Sequence, residues 1–226
     1  DTTQYLIKKA KEYDMYICWG MTERDISHPD ALYNAAVLVG PEGFVGRHRK
    51  VHQPIAERLY FYPGYEYQVF NTKIGKIGIL ICFDMTMPEA ARSLAIQGAE
   101  IIICPLCWPA FSKSVEDEQV NYYNIFTKAR AAENMVYFIA SNHSGYYGKD
   151  LNASHSRIIR PNGTVCADTG FDEGMAVAEI DPEEFIKTRC VSMALSHLIK
   201  DRRPDTYDKI CEITKYNFMS GLANKD

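Results

Sequence analysis

The stretch IGILICFDMTMPEA, residues 77–90, indicates how the chain folds. Its first five residues are small or branched and apolar, which is typical of a strand buried on both faces of a sheet. Pro88 fits the first turn of a helix, and Thr86 and Glu89 have the spacing of a capping box. Cys82 is therefore predicted to lie in a short loop between a buried strand and a helix N-terminus, where ligands bind in α/β sheets.

Cys82 has two interpretations on this stretch alone. A helix N-terminus or a nearby cation would stabilise a thiolate and so produce a nucleophile. Free cysteines are also among the most buried residue types, so a structural thiol in the core is an equally good interpretation.

Composition excludes several classes of protein. The 226 residues are enough for one domain with a large core. A net charge of −4 and a pI of about 5.9 argue against binding to nucleic acid or to an anionic membrane. No apolar run approaches the roughly 20 residues of a membrane span. The seven cysteines, irregularly spaced, fit reduced thiols better than a disulfide framework, so we predict a cytoplasmic location.

The sequence predicts neither a metal site nor a cofactor. Cys104 and Cys107 form a C-x-x-C pair, but no second pair and no His motif accompanies them, which argues against zinc. A Gly-rich loop for a nucleotide cofactor is also missing from the sequence.

Strands and helices alternate along the chain, which predicts one α/β domain. Helices are predicted over residues 2–13, 88–97 and 117–134, with a short one after Asp181. The third helix carries Tyr122, Ile125, Phe126 and Ala129 on one face. Strands, the first of them buried, are predicted over residues 15–21, 31–39, 44–48, 67–72, 77–82, 100–104, 135–141, 154–160, 164–167 and 175–180.

A further set of motifs favours the catalytic interpretation of Cys82. Lys50 lies within the run RHRKVH, and the pattern ER-x-x-F-x-x-G follows it at residues 57–64. The later matches, in chain order, are RAAEN at 130–134, N-x-x-G at 142–145, SRII-x-P-x-G at 156–163 and DRRPD at 201–205. With Cys82 at a strand end, this ordered set resembles the nitrilase superfamily of carbon–nitrogen hydrolases, and the resemblance covers essentially the whole chain.

The resemblance implies roles for particular residues in a Glu–Lys–Cys triad. Cys82 matches the nucleophile, and Lys50 matches the lysine that stabilises the oxyanion together with the backbone N–H of Phe83. Glu57 matches a second glutamate beside the triad. Without the resemblance, Lys50 would be an ordinary solvated charge and Glu57 a salt-bridge partner of Arg58.

The resemblance also implies the architecture and the substrate pocket. The superfamily forms a four-layer α-β-β-α sandwich that pairs across a helix face, so a homodimer or higher homo-oligomer is expected. The loop after Cys104 carries pocket residues in the family, which would make Trp108 a pocket wall. Arg130 and Glu133 are expected to form a structural ion pair beside the core.

The family's general-base glutamate has no match in this chain. It lies at the end of an earlier strand, before the helix that matches residues 2–13, and Glu23 matches a later acidic position. We therefore expect residues 1–226 to form a single carbon–nitrogen hydrolase domain that lacks this N-terminal strand, with the base upstream of Asp1 in a longer chain.

The residues after the nucleophile indicate the substrate. True nitrilases usually continue with Trp-Glu, whereas Phe83-Asp84 resembles the amidase and N-carbamoyl-amine branches. Carbamoyl amino-acid hydrolases typically have an Arg soon afterwards, where this chain has Met85-Thr86-Met87. We therefore predict thiol-dependent hydrolysis of a primary amide or N-carbamoyl amine with an apolar or uncharged group, through a thioester, releasing ammonia. A non-catalytic or regulatory relative that binds small amides, and a true nitrilase, remain as alternatives.

Overall fold

A computed structural model describes residues 1–54, 56–191 and 196–212 of the chain. Its α-helices are α1 (Thr2–Glu12), α2 (Pro88–Ile96), α3 (Glu118–Asn134) and α4 (Pro182–Val191). Its strands are β1 (Ile17–Arg24), β2 (Leu32–Gly40), β3 (Gly43–Arg49), β4 (Val69–Thr72), β5 (Gly75–Ile79), β6 (Ile101–Leu106), β7 (Pro109–Ala110), β8 (Tyr137–Asn142), β9 (Tyr146–Tyr147), β10 (Asp150–Asn152), β11 (Arg157–Ile159) and β12 (Val165–Asp168). Short 3-10 helices lie at Glu57–Leu59, Cys82–Thr86, Pro204–Thr206 and Asp208–Cys211.

Two sheets pack face to face at the centre of the molecule. The smaller is an antiparallel meander in the order β1-β2-β3, and the larger has the order β12-β11-β8-β6-β5-β4, with β5, β6 and β8 parallel. Leu38 of β2 packs against Ile77 and Ile79 of β5 in the interface between them. The apolar run that predicted a doubly buried strand therefore lies in β5, which has a neighbouring strand on each side, β6 and the edge strand β4.

Helices cover the outer faces of both sheets. Leu6 and Ala10 of α1 pack on Val37 and Val39 of β2, while α2 and α3 pack on the far side of the larger sheet. On β6, successive side chains alternate between the two interfaces, because a strand points its side chains to opposite faces. The layers thus run α-β-β-α, which confirms the predicted sandwich. Within the described ranges, no helix combines the length and apolar character needed to cross a membrane.

Most predicted helices and strands are confirmed to within about three residues, but the predicted capping box is wrong. Pro88 does occupy the first turn of α2, yet the cap residue is Met87, which makes no side-chain cap bond. Thr86 belongs to the preceding 3-10 helix, and its hydroxyl donates to the carbonyl of Phe83. The turn after Cys82 therefore stabilises itself and leaves Glu89 without a capping role.

Two apolar segments are more exposed than predicted. β1 contains no fully buried residue, because among the described residues it is an edge strand that pairs only with β2, and Trp19 is exposed. No strand forms over residues 175–180, since neither sheet supplies a neighbouring strand there among the described residues. Met175 and Val177 are accordingly exposed.

The apolar face predicted for α3 is not the face that the helix buries. Tyr122 and Ile125 are exposed, whereas Tyr123, Thr127 and Arg130 are buried. Several polar groups on the inner face are bonded within the helix, as the Thr127 hydroxyl donates to the Tyr123 carbonyl, although the buried Asn134 Oδ1 has no partner among the described residues. A helix that buries bonded polar groups is not identified by its apolar spacing alone.

The interface between the two sheets should dominate stability. Ile79 is 1% exposed, so truncation of its side chain would leave a cavity in the core. Ile79→Ala is therefore expected to lower the free energy of unfolding by about 2–5 kcal/mol. The same substitution at Ile26, which is 94% exposed, should change it by less than about 0.5 kcal/mol. Urea unfolding followed by circular dichroism measures both, and equal losses would contradict the assigned interface.

Candidate active site

Cys82 lies at the turn that leads from β5 of the larger sheet into a 3-10 helix. The chain leaves β5 through the buried residues Leu80 and Ile81, and Cys82 opens the helix with a φ of +48°. Residues with a Cβ rarely adopt this left-handed conformation, and strained positions of this kind cluster at functional sites. The Cys82 Sγ lies 3.8 Å from the carbonyl oxygen of Cys107, which follows the neighbouring strand β6.

Lys50 and Glu57 form a close ion pair. Lys50 follows β3 and is 1% exposed, and its Nζ donates to Glu57 Oε1 over 2.6 Å. Asn34 Nδ2 donates to the other carboxylate oxygen over 3.3 Å. The main chain of Lys50 is held by Asn34 and Gly64 at 2.8 Å each. Because a buried ammonium is costly without a counter-ion, Glu57 is the group that permits Lys50 to be enclosed.

The three predicted catalytic side chains influence one another. Burial raises the pKa of the Cys82 thiol above its ordinary value; the Lys50 ammonium acts to lower it and the Glu57 carboxylate to raise it. The structure therefore brings Cys82, Lys50 and Glu57 into one site. The resting thiol is protonated at neutral pH, so a nucleophilic role requires a base that removes its proton.

Sequence reasoning missed Asp84, the fully buried carboxylate at the centre of the site. His48 Nε2 lies 3.0 Å from its Oδ2, and His52 Nδ1 lies 3.2 Å from its Oδ1. Burial alone would raise the pKa of the Asp84 carboxyl, but the hydrogen bonds with His48 and His52 outweigh it and lower the pKa to about 2.

Tyr67 completes this polar cluster. Its ring stacks on His48 with centroids 5.5 Å apart, and its hydroxyl lies 2.9 Å from His52 Nδ1. Burial, together with the Asp84 charge, raises the pKa of the Tyr67 phenol. The sequence feature that pointed toward Asp84 was the pair of histidines around Lys50, because a dense cationic patch favours a buried acid nearby.

Arg130 anchors the far end of the 3-10 helix that begins at Cys82. Its guanidinium donates to the carbonyls of Met85 and Thr86 over 2.7 and 2.9 Å. A third contact of 2.7 Å to Glu133 confirms the predicted ion pair. Arg130 thus connects α3 with the turn that carries the nucleophile.

Phe83 and Trp108, the predicted substrate-binding residues, have different surroundings. Phe83 lines a cleft of about 770 Å³ together with His52, Tyr60 and Met87. Trp108 is 6% exposed, and its indole N–H donates to the carbonyl of Gln119 over 2.9 Å. Its side chain belongs to the core beneath the site, and its role as a pocket wall stays a prediction.

The Glu23 carboxylate, which matches no catalytic residue of the family, pairs with two arginines. It accepts two hydrogen bonds from Arg49, at 2.6 and 3.1 Å, and pairs with Arg47 at 2.8 Å. Among the described residues, no group of three or more His, Cys, Asp or Glu side chains could hold a metal ion.

Comparison with known proteins adds independent findings. The model of the carbon-nitrogen hydrolase family matches residues 1–189. A nitrilase from Pyrococcus abyssi is 34% identical over 216 residues, covering 92% of this chain and 74% of the relative. An (R)-stereoselective amidase from a Pseudomonas species is 31% identical over 190 residues, covering 83% of this chain and 65% of the relative. The crystal structure of a carbon-nitrogen hydrolase from Helicobacter pylori superposes with a TM-score of 0.84 at 26% identity, covering 94% of this chain and 76% of that one.

The charges around Cys82 should control its reactivity toward iodoacetamide. Lys50→Ala removes a charge that stabilises the thiolate, so the pKa of Cys82 should rise and its alkylation slow. Glu57→Gln removes a charge that opposes the thiolate, so alkylation should accelerate. Since one pKa unit is a tenfold change in thiolate, each effect is expected to be about three- to tenfold at pH 8.

Peptide mass spectrometry of time-resolved alkylation measures these rates at individual cysteines. The exposed Cys211 thiol is the internal control, and its rate should be the same in all three proteins. Equal Cys82 rates in the wild type and both variants would contradict the electrostatic assignment.

Proposed function

Since the chain belongs to the carbon–nitrogen hydrolase family, we propose that it hydrolyses a primary amide or an N-carbamoyl amine with Cys82 as nucleophile. The observation that supports this most strongly is the buried Lys50 ammonium, paired with the partly exposed Glu57, beside the partly buried Cys82 thiol on a strained turn. A cation held permanently next to a nucleophile is suited to stabilising negative charge that develops in the transition state.

In the proposed first step, the Cys82 sulfur attacks the carbonyl carbon and its proton passes to a general base. We propose that this base is a glutamate preceding residue 1, as the resemblance implies. The carbonyl oxygen becomes an oxyanion, stabilised by the Lys50 ammonium and by the backbone N–H of Phe83. Fixed donors of this kind contribute mainly in the transition state and act most strongly where water is excluded.

The proposed second step releases ammonia and leaves a thioester on Cys82. Ammonia leaves once the conjugate acid of the base returns the proton to nitrogen, and the carbon–nitrogen bond breaks as the oxyanion collapses. Water then attacks the thioester, and the thiol is regenerated. For an N-carbamoyl amine, the products would be ammonia, CO₂ and the free amine.

The cleft next to the nucleophile supports a substrate with an apolar or uncharged substituent. Phe83 and Met87 line it together with Arg58, whose Nε donates to the Gln53 carbonyl over 3.0 Å, and no arginine occupies residues 85–87 to bind a substrate carboxylate. The Asp84 carboxylate is committed to contacts within the protein. Apolar side chains close to the nucleophile favour a substituent of matching character.

A nitrile is the second candidate substrate, since the Pyrococcus relative is named as a nitrilase. A nitrile would need the same thiol attack, but two waters would be consumed on the way to acid and ammonia. The Cys82-Phe83-Asp84 sequence, which resembles the amidase branches, favours the amide.

We further propose that the protein is a homodimer of the reducing cytosol. The exposed face of α3 carries Ile125 and Tyr122, whose ring stacks on Phe126 at 5.9 Å. An apolar helix face of this kind is the surface through which the resemblance expects pairing. All seven cysteines are unpaired, which suits a compartment that keeps thiols reduced.

The activity is tested by ammonia release from a panel of primary amides, N-carbamoyl amines and nitriles, using a chain that includes any preceding segment. Wild-type protein should turn over amides or carbamoyl amines faster than every nitrile. Cys82→Ala should fold normally and lose activity by at least about a thousandfold, because the nucleophile is absent.

The matched control is Cys107→Ala, a nearby thiol whose side chain bonds to Asn152 instead. It should keep most of the activity, and addition of EDTA should leave the wild-type rate unchanged. Equal losses in the two variants would reject Cys82 as the nucleophile, and faster nitrile turnover would reject the amide branch.

The dimer is tested by light scattering coupled to size-exclusion chromatography. Wild-type protein should have twice the chain mass of 25.7 kDa, and Ile125→Asp should shift it to the monomer, since a charge would be desolvated in the interface. Ile186→Asp on α4 is the control, because Ile186 is 57% exposed and Ile125 is 52% exposed. A monomeric wild type, or dissociation by both variants alike, would contradict the α3 interface.

A further inference from the structure

One buried carboxylate joins the two chain segments that carry the proposed catalytic groups. Asp84 Oδ1 accepts from the backbone N–H groups of Val51 and His52, over 3.2 and 2.8 Å. Asp84 Oδ2 accepts from the backbone N–H of Ile81, over 3.2 Å. Val51 directly follows Lys50, and Ile81 directly precedes Cys82. The two oxygens of one side chain therefore bond to the neighbours of both groups.

We propose that Asp84 is a positioning residue that sets the distance and orientation between the Lys50 ammonium and the turn that bears Cys82 and the Phe83 N–H. The proposal rests on the function proposed above. Asp84 contacts neither the substrate nor the reacting atoms in this scheme, and it acts through the backbone on both sides.

The energetics of the site make this connection rigid. A carboxylate with no exposed surface is stable only when its oxygens are fully bonded, and three backbone N–H groups and two imidazoles satisfy them here. Any relative movement of the Lys50 and Cys82 segments would break one of these bonds and leave buried charge unsatisfied. The cost of movement is therefore higher than that of an ordinary loop contact.

The other end of the nucleophile turn is fixed separately. Arg130 binds the carbonyls of Met85 and Thr86 and so ties the end of the 3-10 helix to α3. Asp84 is thus the contact that relates the beginning of this helix to the Lys50 segment. A displacement of about 1 Å between reacting groups can cost about a hundredfold in rate, so precision at this point matters for turnover.

Asp84→Asn tests the proposal because the asparagine side chain has the same shape as aspartate but one hydrogen-bond acceptor oxygen fewer. The amide oxygen can serve either the Val51 and His52 N–H groups or the Ile81 N–H, and the amide NH₂ then faces the other donor. We expect kcat, normalised to the fraction of protein whose Cys82 reacts with iodoacetamide, to fall about a hundredfold. KM should change less than about threefold, because the substrate contacts are retained.

Asp168→Asn is the matched control. Asp168 is also bound by a histidine, His155, at 2.8 Å, by Arg157 at 2.9 Å and by the backbone N–H of Gly170 at 2.7 Å, but it lies on the edge strand β12. This variant should lower the melting temperature as Asp84→Asn does, yet retain the wild-type kcat. A comparable loss of kcat in both variants would mean that Asp84 acts only through general stability, and would overturn the proposal.

Hydrogen–deuterium exchange supplies a readout that needs no turnover. In the folded Asp84→Asn protein, the backbone amides of Ile81, Val51 and His52 should exchange faster than in the wild type. The alkylation rate of Cys82 should also differ from that of the wild type, while the rate at Cys211 stays the same. If the variant shows these changes but the wild type releases no ammonia, the proposed function is rejected and the positioning role stays supported. Unchanged exchange together with kcat within threefold of wild type would reject the positioning role alone.

His48→Gln replaces Asp84→Asn if the latter does not fold. It leaves the three backbone bonds and removes one imidazole from Asp84 Oδ2, so a smaller loss of kcat, about tenfold, is expected. A folded His48→Gln protein with wild-type kcat and wild-type exchange at Ile81 would overturn the proposal.

Discussion

The enclosure of the Lys50 ammonium is the constraint on which the site depends. A charge at a position with 1% exposure must be paired, and Glu57, held by Asn34, pairs with it over 2.6 Å. The chain therefore has to place Glu57 beside Lys50, and the Gly64 N–H returns to the Lys50 carbonyl over 2.8 Å. Close approach of Gly64 to the Arg49 carbonyl, where a Cβ would lie 2.1 Å away, makes this return possible only for glycine.

The two-sheet architecture explains why the site lies where it does. Lys50 follows a strand of the smaller sheet, and Cys82 follows a strand of the larger one. The packing of Leu38, Ile77 and Ile79 in one buried cluster therefore holds the two strand ends beside each other, and Asp84 joins the segments that follow them. Protein cores are close-packed and deform little, so a catalytic distance that spans two sheets is well defined without any direct covalent link.

Strain and burial at Cys82 have a common origin in this arrangement. The positive φ of Cys82 costs about 1–3 kcal/mol, which the bonded turn that follows it offsets. Burial keeps the thiol protonated, so reactivity depends on a base and on the nearby ammonium and not on a preformed thiolate.

The sequence by itself determined an α/β domain, because apolar periodicity is a local property that survives without tertiary context. Its ordered motifs resemble the nitrilase superfamily, and that resemblance implied the four layers and the three proposed catalytic positions. Only the tertiary structure decided which groups complete the site. Asp84 is an ordinary acid in the sequence, and its contacts to Val51, His52 and Ile81 join segments about 30 residues apart. The buried face of α3 and the unpaired segment 175–180 were likewise decided by neighbours from distant parts of the chain. Hydrogen-bond partners of this kind arise from folding, so no local pattern of residue types encodes them.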